Sequence, residues 1–238
     1  MAVSKSKQLV FTIGFDDMLR SIDMRTNQFT SLSVKLDSQP KGLCLLNNLI
    51  VVACYQHLLI YNDEGAKLAS LKTNYEPTCI ASNPSNNHIA VGSTNNRVQI
   101  YKVSSCGTKM DQLEDRNLDH RGAITCLEYS DDGKNLVVGD ANRKIVVYDS
   151  NYVQCNKQEM GYHTARVNCV GWSPNNSNEF VSGSLDTAII VWDVEDPNKY
   201  IHYKKAHPLS QVNKVKFINK DLIVSVGQDS NIKVWNLV

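Results

Sequence analysis

The stretch HTARVNCVGWSPNNSNEFVSGSLDTAIIVWDV, residues 163–194, decides the fold. It contains three short apolar segments at 167–172, 180–182 and 188–192. Turn residues separate them at 173–176 and 183–186. β-Branched runs divided by Pro, Asn and Gly are typical of short strands joined by tight turns. The stretch therefore predicts three consecutive antiparallel strands.

The same pattern recurs along the chain. The residue that ends each third strand is Ile22, Tyr61, Tyr101, Tyr148, Trp192 or Trp235, at spacings of 39, 40, 47, 44 and 43. A strand-only period of about 40–45 residues is typical of propeller blades and disfavours the alternative, a β-sandwich with chance similarity. We predict one all-β domain, 1–238, with repeats at approximately 1–36, 37–72, 73–117, 118–158, 159–204 and 205–238.

Residues His163, 183–186 and Trp192-Asp193 resemble a WD repeat. The resemblance implies a β-propeller, commonly of seven blades. Six repeats are one short of that number, and the last one contains only three predicted strands. We therefore expect an incomplete seven-bladed ring that belongs to a longer protein.

Outer strands are expected within 104–119 and near residues 152–157 and 200–204. Several tyrosines fall at the ends of these strands or in connections. The default interpretation is that they are ordinary edge residues, and the alternative is that exposed ones anchor a partner. They are Tyr75, Tyr152, Tyr162, Tyr200 and Tyr203.

Two repeats carry the same four polar residues at matching offsets before the terminal Trp. They resemble the structural tetrad of WD repeats, in which Asp binds His, His binds Ser and Ser binds the indole N–H. A Ser/His/Asp set also occurs in hydrolases, but its recurrence and the lack of a Gly-x-Ser-x-Gly motif favour the structural interpretation. The residues are His163, Ser182, Asp186 and Trp192, and His207, Ser225, Asp229 and Trp235.

The other repeats lack the complete set. Repeat four keeps His120, but Asn142 and Val138 lie 6 and 10 residues before Tyr148, where Asp and Ser would be expected. We expect these repeats to be held by apolar packing alone. We predict no catalytic residue, no metal site and no cofactor, because no Cys-x-x-Cys, phosphate loop or paired-carboxylate motif is present.

The charge balance bears on possible partners. The chain has 25 basic and 24 acidic residues, a net charge of +1. This disfavours nucleic acid or a membrane as partner. Four of the seven cysteines, Cys44, Cys79, Cys126 and Cys169, occupy equivalent first-strand positions, too far apart to pair. They are expected to be buried thiols in a reducing, cytoplasmic compartment.

Several longer runs resemble one family. They are FTIGFDDMLR (11–20), SQPKGL (38–43), VVACYQHLLIY (51–61), HTARVNCVGWSPNN (163–176), GSLDTAIIVW (183–192) and SVGQDSNIKVWN (225–236). Together they resemble the C-terminal propeller of the actin-interacting protein 1 (WD-repeat protein 1) family.

The resemblance implies a non-enzymatic cytoskeletal protein whose partners are actin filaments and cofilin. It implies a part in cofilin-dependent filament disassembly. The alternative is a generic WD-repeat scaffold for another protein complex. Because the family's first propeller is not part of this sequence, we expect full disassembly activity to need it.

Overall fold

Strands account for all the regular structure in the computed structural model, which describes residues 1–114, 116, 118–156, 159–174, 176–196 and 198–237. The predicted all-β class is confirmed. None of these residues belongs to a helix long and apolar enough to span a membrane. The predicted repeat ends at 117, 158 and 238 lie outside the described residues, as do position 175 of the predicted turn and residue 157 of a predicted outer strand.

The chain divides into two compact units, Met1–Asn117 and Leu118–Val238. Unit 1 contains three antiparallel sheets in its described residues, each built from four consecutive strands. Sheet 1 consists of β1 (Ala2–Ser4), β2 (Leu9–Ile13), β3 (Met18–Asp23) and β4 (Gln28–Lys35). Sheet 2 consists of β5 (Pro40–Leu46), β6 (Leu49–Cys54), β7 (His57–Tyr61) and β8 (Lys67–Lys72). Sheet 3 consists of β9 (Pro77–Ser82), β10 (His88–Ser93), β11 (Arg97–Val103) and β12 (Met110–Gln112).

The described part of unit 2 begins with the two-residue strand β13 (Leu118–Asp119) and then forms three antiparallel sheets. Sheet 4 consists of β14 (Ile124–Tyr129), β15 (Leu136–Asp140) and β16 (Ile145–Tyr148). Sheet 5 consists of β17 (Val167–Ser173), β18 (Asn176–Ser184), β19 (Ile189–Asp193) and β20 (Tyr200–Tyr203). Sheet 6 consists of β21 (Val212–Asn219), β22 (Leu222–Gly227) and β23 (Ile232–Asn236).

Within each unit, neighbouring sheets pack through apolar faces. In unit 1, one core cluster joins sheets 1 and 2 and another joins sheets 2 and 3. In unit 2, one cluster joins sheets 4 and 5 and another joins sheets 5 and 6. Sheets 2 and 5 are therefore covered on both faces, and β6 is buried along its whole length. This explains why its sequence, LIVVAC, is continuously apolar rather than alternating.

Two glycines allow close sheet packing in unit 2. A Cβ on Gly139 would lie 2.8 Å from Val167, and a Cβ on Gly183 would lie 2.5 Å from Val212. Both distances are shorter than side chains tolerate, so the next sheet can approach only because glycine is present. Thr125 and Asn168 then donate side-chain hydrogen bonds across the same two junctions, Asn168 to the carbonyl of Val212 at 3.0 Å.

Sheet 4 differs from the prediction at its outer edge. Among its described residues, the segment after β16 forms isolated bridges at Gln154 and Met160 and no fourth strand over 152–156. The Asn156 side chain accepts the N–H of Val147 at 3.0 Å, in place of a backbone carbonyl of a neighbouring strand. The side chain of Asn156 thus satisfies a backbone N–H of β16 without extending the backbone hydrogen bonds of a fourth strand. The other outer strands are present as β12 and β20.

Candidate functional site

Sheet 5 brings the first four predicted polar residues into one buried chain of hydrogen bonds. The Trp192 indole Nε1–H donates to Ser182 Oγ at 2.8 Å. Ser182 Oγ lies 2.7 Å from His163 Nε2, and His163 Nδ1 lies 2.9 Å from Asp186 Oδ2. An ionised Asp186 can only accept, so His163 carries its proton on Nδ1 and receives the Ser182 hydroxyl at Nε2.

Sheet 6 repeats this geometry with the second four residues. Trp235 Nε1–H donates to Ser225 Oγ at 2.8 Å, and Ser225 Oγ lies 2.8 Å from His207 Nε2. The His207 Nδ1 atom is 2.8 Å from Asp229 Oδ1. In both sheets the His sits in the loop before the first strand, the Ser on the second strand and the Trp on the third. Each network therefore ties a loop to two strands.

Burial decides what these networks can do chemically. The side chains of His163 and His207 are 0% exposed, and Ser182 and Ser225 are fully buried. Each Ser oxygen also accepts an indole N–H, which would weaken it as a nucleophile. No substrate carbonyl can approach such an oxygen without opening the sheet. The geometry fits a structural tie, and we propose that role for both sets of four residues.

The two carboxylates are stabilised in their ionised form. Burial raises the pKa of Asp186, but hydrogen bonds from His163 and from the amides of Thr164 and Ala188 outweigh it and lower the pKa to about 2. At Asp229, burial again raises the pKa. Hydrogen bonds from His207 and Asn231 outweigh this effect and hold the pKa below its ordinary value.

Sheet 4 contains a different buried network that the sequence pattern missed. The Tyr148 hydroxyl lies 3.1 Å from His120 Nε2. On the other side of the ring, His120 Nδ1 lies 3.5 Å from Asp140 Oδ2, a close contact in which neither atom has a hydrogen-bond partner among the described residues. The side chains of His120 and Asp140 are both 0% exposed. The tyrosine hydroxyl reaches the His directly, so no Ser is needed where Val138 stands. The repeat pattern expects the acid at the position of Asn142. The acid that lies beside His120 is instead Asp140, two positions earlier in the chain.

Sheet 3 also has a polar tie in the corresponding place. The hydroxyls of Tyr75 and Tyr101 are 2.6 Å apart, and both side chains are buried. Tyr75 lies in the segment before β9, as His163 lies before β17. The expectation that the repeats without a full tetrad rest on apolar packing alone is therefore wrong for sheets 3 and 4. Tyrosine hydroxyls in these sheets need partners once they are buried, as an indole does.

Of the five tyrosines singled out in the sequence, two are buried, two are exposed, and Tyr203 packs against Trp235 with ring centroids 4.9 Å apart. Tyr75 and Tyr152 are buried, so the prediction that they are ordinary edge residues is wrong for both. Tyr162 and Tyr200 are 41% and 38% exposed, with their ring centroids 4.3 Å apart. Tyr162 also stacks on the buried Trp192, at 5.7 Å. This pair is a rigid aromatic surface at the edge of sheet 5.

No group of three or more His, Cys, Asp or Glu side chains with the geometry of a metal site occurs among the residues that the structure describes. All seven cysteines are free. Cys44, Cys126 and Cys169 are buried as predicted, and Cys79 is half-buried.

Repeated antiparallel sheets and two buried His-Ser-Trp networks define the class. The family model for the WD domain, G-beta repeat, matches residues 65–102, 114–149, 155–193 and 198–236. These segments cover more than half of the chain, which therefore belongs to the WD-repeat family.

Within that family, the chain is homologous to actin-interacting protein 1 along nearly its whole length. It is 42% identical over 231 residues to actin-interacting protein 1 of Drosophila melanogaster, which covers 96% of this chain and 37% of the relative. It is 36% identical over 240 residues to the Caenorhabditis elegans protein of the same name, covering 98% and 38%. It is 33% identical over 241 residues to WD repeat-containing protein 1 of Gallus gallus, covering 100% and 38%. The chain thus spans about 38% of the length of these relatives.

Proposed function

We propose that this chain is a non-enzymatic, cytoplasmic component of the actin cytoskeleton that binds actin filaments and contributes to their cofilin-dependent disassembly. The observation that carries the proposal is the identity of 42% over 96% of the chain to a protein named for its interaction with actin. Two further relatives, at 36% and 33%, support the same assignment.

The mechanism relies on binding energy alone. Buried networks such as Trp192–Ser182–His163 hold the loops between strands in fixed positions, so little ordering is required when a filament binds. A rigid surface that fits cofilin-decorated filaments better than bare ones shifts the population of filaments toward the decorated, breakable state. The size of the shift is limited by the difference between those two affinities.

Cosedimentation tests this proposal. The purified chain is centrifuged with actin filaments, with and without cofilin, beside an inert protein of similar size. We expect the chain to pellet with filaments and to pellet more when cofilin is bound. Pelleting no greater than that of the inert protein, in either condition, would refute the proposal and favour a scaffold for a different protein complex.

A further inference from the structure

A concave, positively charged pocket lies at one end of sheet 4. It encloses about 270 Å³ and is lined by Arg121, Asn142, Arg143, Lys144, Glu159 and Gly161. Its walls are the segment before β14, the turn between β15 and β16, and the residues on either side of the bridge at Met160. We call this set of six residues the basic pocket.

The basic pocket has a surplus of positive charge. Its three cations face a single carboxylate, Glu159, which lies 3.7 Å from the Arg121 guanidinium with both groups well exposed. Within the described part of the chain, neither Arg143 nor Lys144 forms an ion pair. The nearby Asp140 does not neutralise them at the surface, because it is buried and its Oδ1 accepts the backbone N–H groups of Asn142 and Lys144 at 2.8 and 2.9 Å.

Arg143 stands at a backbone position that its side chain does not favour. Its φ is 71°, in the left-handed region where Gly and Asn are the ordinary choices. The same turn position has a positive φ in every repeat. It lies five residues before the aligned third-strand residues Ile22, Tyr61, Tyr101, Tyr148, Trp192 and Trp235. The residues at the other five positions, none of which is positively charged, are Asp17, Gln56, Asn96, Thr187 and Ser230. The fourth repeat therefore places a cation at a turn position where the other repeats place neutral or acidic side chains.

The walls of the basic pocket are preformed. Asn142 Nδ2 donates to the carbonyl of Arg121 at 2.7 Å, which joins the turn to the segment before β14. A Cβ on Gly122 would lie 2.9 Å from the backbone nitrogen of Asn142, so only glycine allows this approach. The buried side chains of His120, before β14, and Asp140, at the start of the turn, lie 3.5 Å apart. The cations therefore converge without a rearrangement of the backbone.

We propose that the basic pocket binds an acidic peptide segment of a protein partner, whose carboxylates pair with Arg121, Arg143 and Lys144. Arginine matches carboxylates through two parallel hydrogen bonds, and a preformed site loses little affinity to ordering. The proposal deepens the proposed function, since it assigns the chemistry of one contact between this chain and its partner.

The test uses a fluorescein-labelled oligoglutamate peptide and fluorescence anisotropy at low and high salt. We expect Arg143→Asn to weaken peptide binding about five- to tenfold at low salt. Its melting temperature should stay unchanged or rise, because Asn suits the left-handed backbone. The matched control is Lys134→Asn, which removes the same charge from sheet 4 at a cation already paired with Asp132 at 3.2 Å.

Three results would overturn the assignment. The wild-type chain could fail to bind the peptide, both variants could bind it equally well, or inorganic phosphate at matched ionic strength could displace it. Filament cosedimentation separates this proposal from the proposed function. A wild-type chain that binds the peptide but not filaments refutes filament binding and leaves the basic pocket intact. A chain that binds filaments but not the peptide refutes the pocket alone.

Discussion

The substitution Asp186→Ala is the most demanding test of the buried networks. The Asp186 carboxylate accepts from His163 Nδ1 at 2.9 Å, from the Thr164 amide at 2.8 Å and from the Ala188 amide at 3.0 Å. Alanine would leave the fully buried His163 donor without a partner, which costs about 1–3 kcal/mol. The Thr164 and Ala188 amides each lose an acceptor and add about 1 kcal/mol together. We therefore expect a loss of about 2–4 kcal/mol.

Urea unfolding, monitored by tryptophan fluorescence, measures this loss in the unit that contains Asp186. The three tryptophans are Trp172, Trp192 and Trp235, so the signal reports on unit 2 alone. With an m-value of about 1–3 kcal/mol/M, the midpoint should fall by about 0.7–4 M. The matched control is Asn142→Ala, at the equivalent position of sheet 4, which removes one exposed side-chain bond and should cost about 0.5–1 kcal/mol. Equal midpoint shifts for the two variants would refute the argument.

Three further outcomes are expected. The pKa of Asp186 falls from 3.8 to about 2 on folding, which stabilises the folded state by about 2 kcal/mol. This stabilisation is present above about pH 4 and is lost as the pH falls toward about 2. The urea midpoint should therefore decrease across this pH range. Tyr148→Phe leaves buried His120 Nε2 without its partner and should cost about 1–2 kcal/mol in the same assay, so an unchanged midpoint would argue against the network. Hydrogen bonds from Ser104 and Thr108 lower the pKa of exposed Cys106 to about 7, whereas burial raises that of Cys169 to about 12. Iodoacetamide at pH 7 should therefore modify Cys106 first by peptide mapping, and earlier labelling of Cys169 would contradict this.

The strand pattern could be read from the sequence because each strand is short, apolar and bounded by turn residues. The segment 167–172 is predicted as a strand and forms β17, Val167–Ser173, which is one residue longer. The isolated bridges that replace the predicted outer strand of sheet 4 could not be foreseen, since they depend on whether Asn156 turns its side chain toward Val147. The packing around the strand determines the orientation of the Asn156 side chain, and this orientation has no periodic pattern in the sequence.

The buried polar networks were also predicted only where the sequence carries a regular spacing. The fixed offsets from the terminal Trp located Asp186 and Asp229. They apply to these two repeats because in each one a Ser links the indole to the His. The offsets missed Asp140, since the longer reach of the Tyr148 hydroxyl removes the need for Ser and lets the acid come from a different position of the turn. A search for any buried acid beside His120 would have found it, but burial of Asp140 follows only from the folded sheets. The strained backbone of Arg143 was likewise invisible before the turns were compared.

The most direct test of the central claim, that this chain recognises actin filaments in their cofilin-decorated state, is to watch it bind single filaments. Filaments carrying alternating bare and cofilin-decorated segments are imaged by total internal reflection microscopy with fluorescently labelled chain. The account predicts label along filaments and a higher density on the decorated segments of the same filament. No label above background on either kind of segment would contradict it.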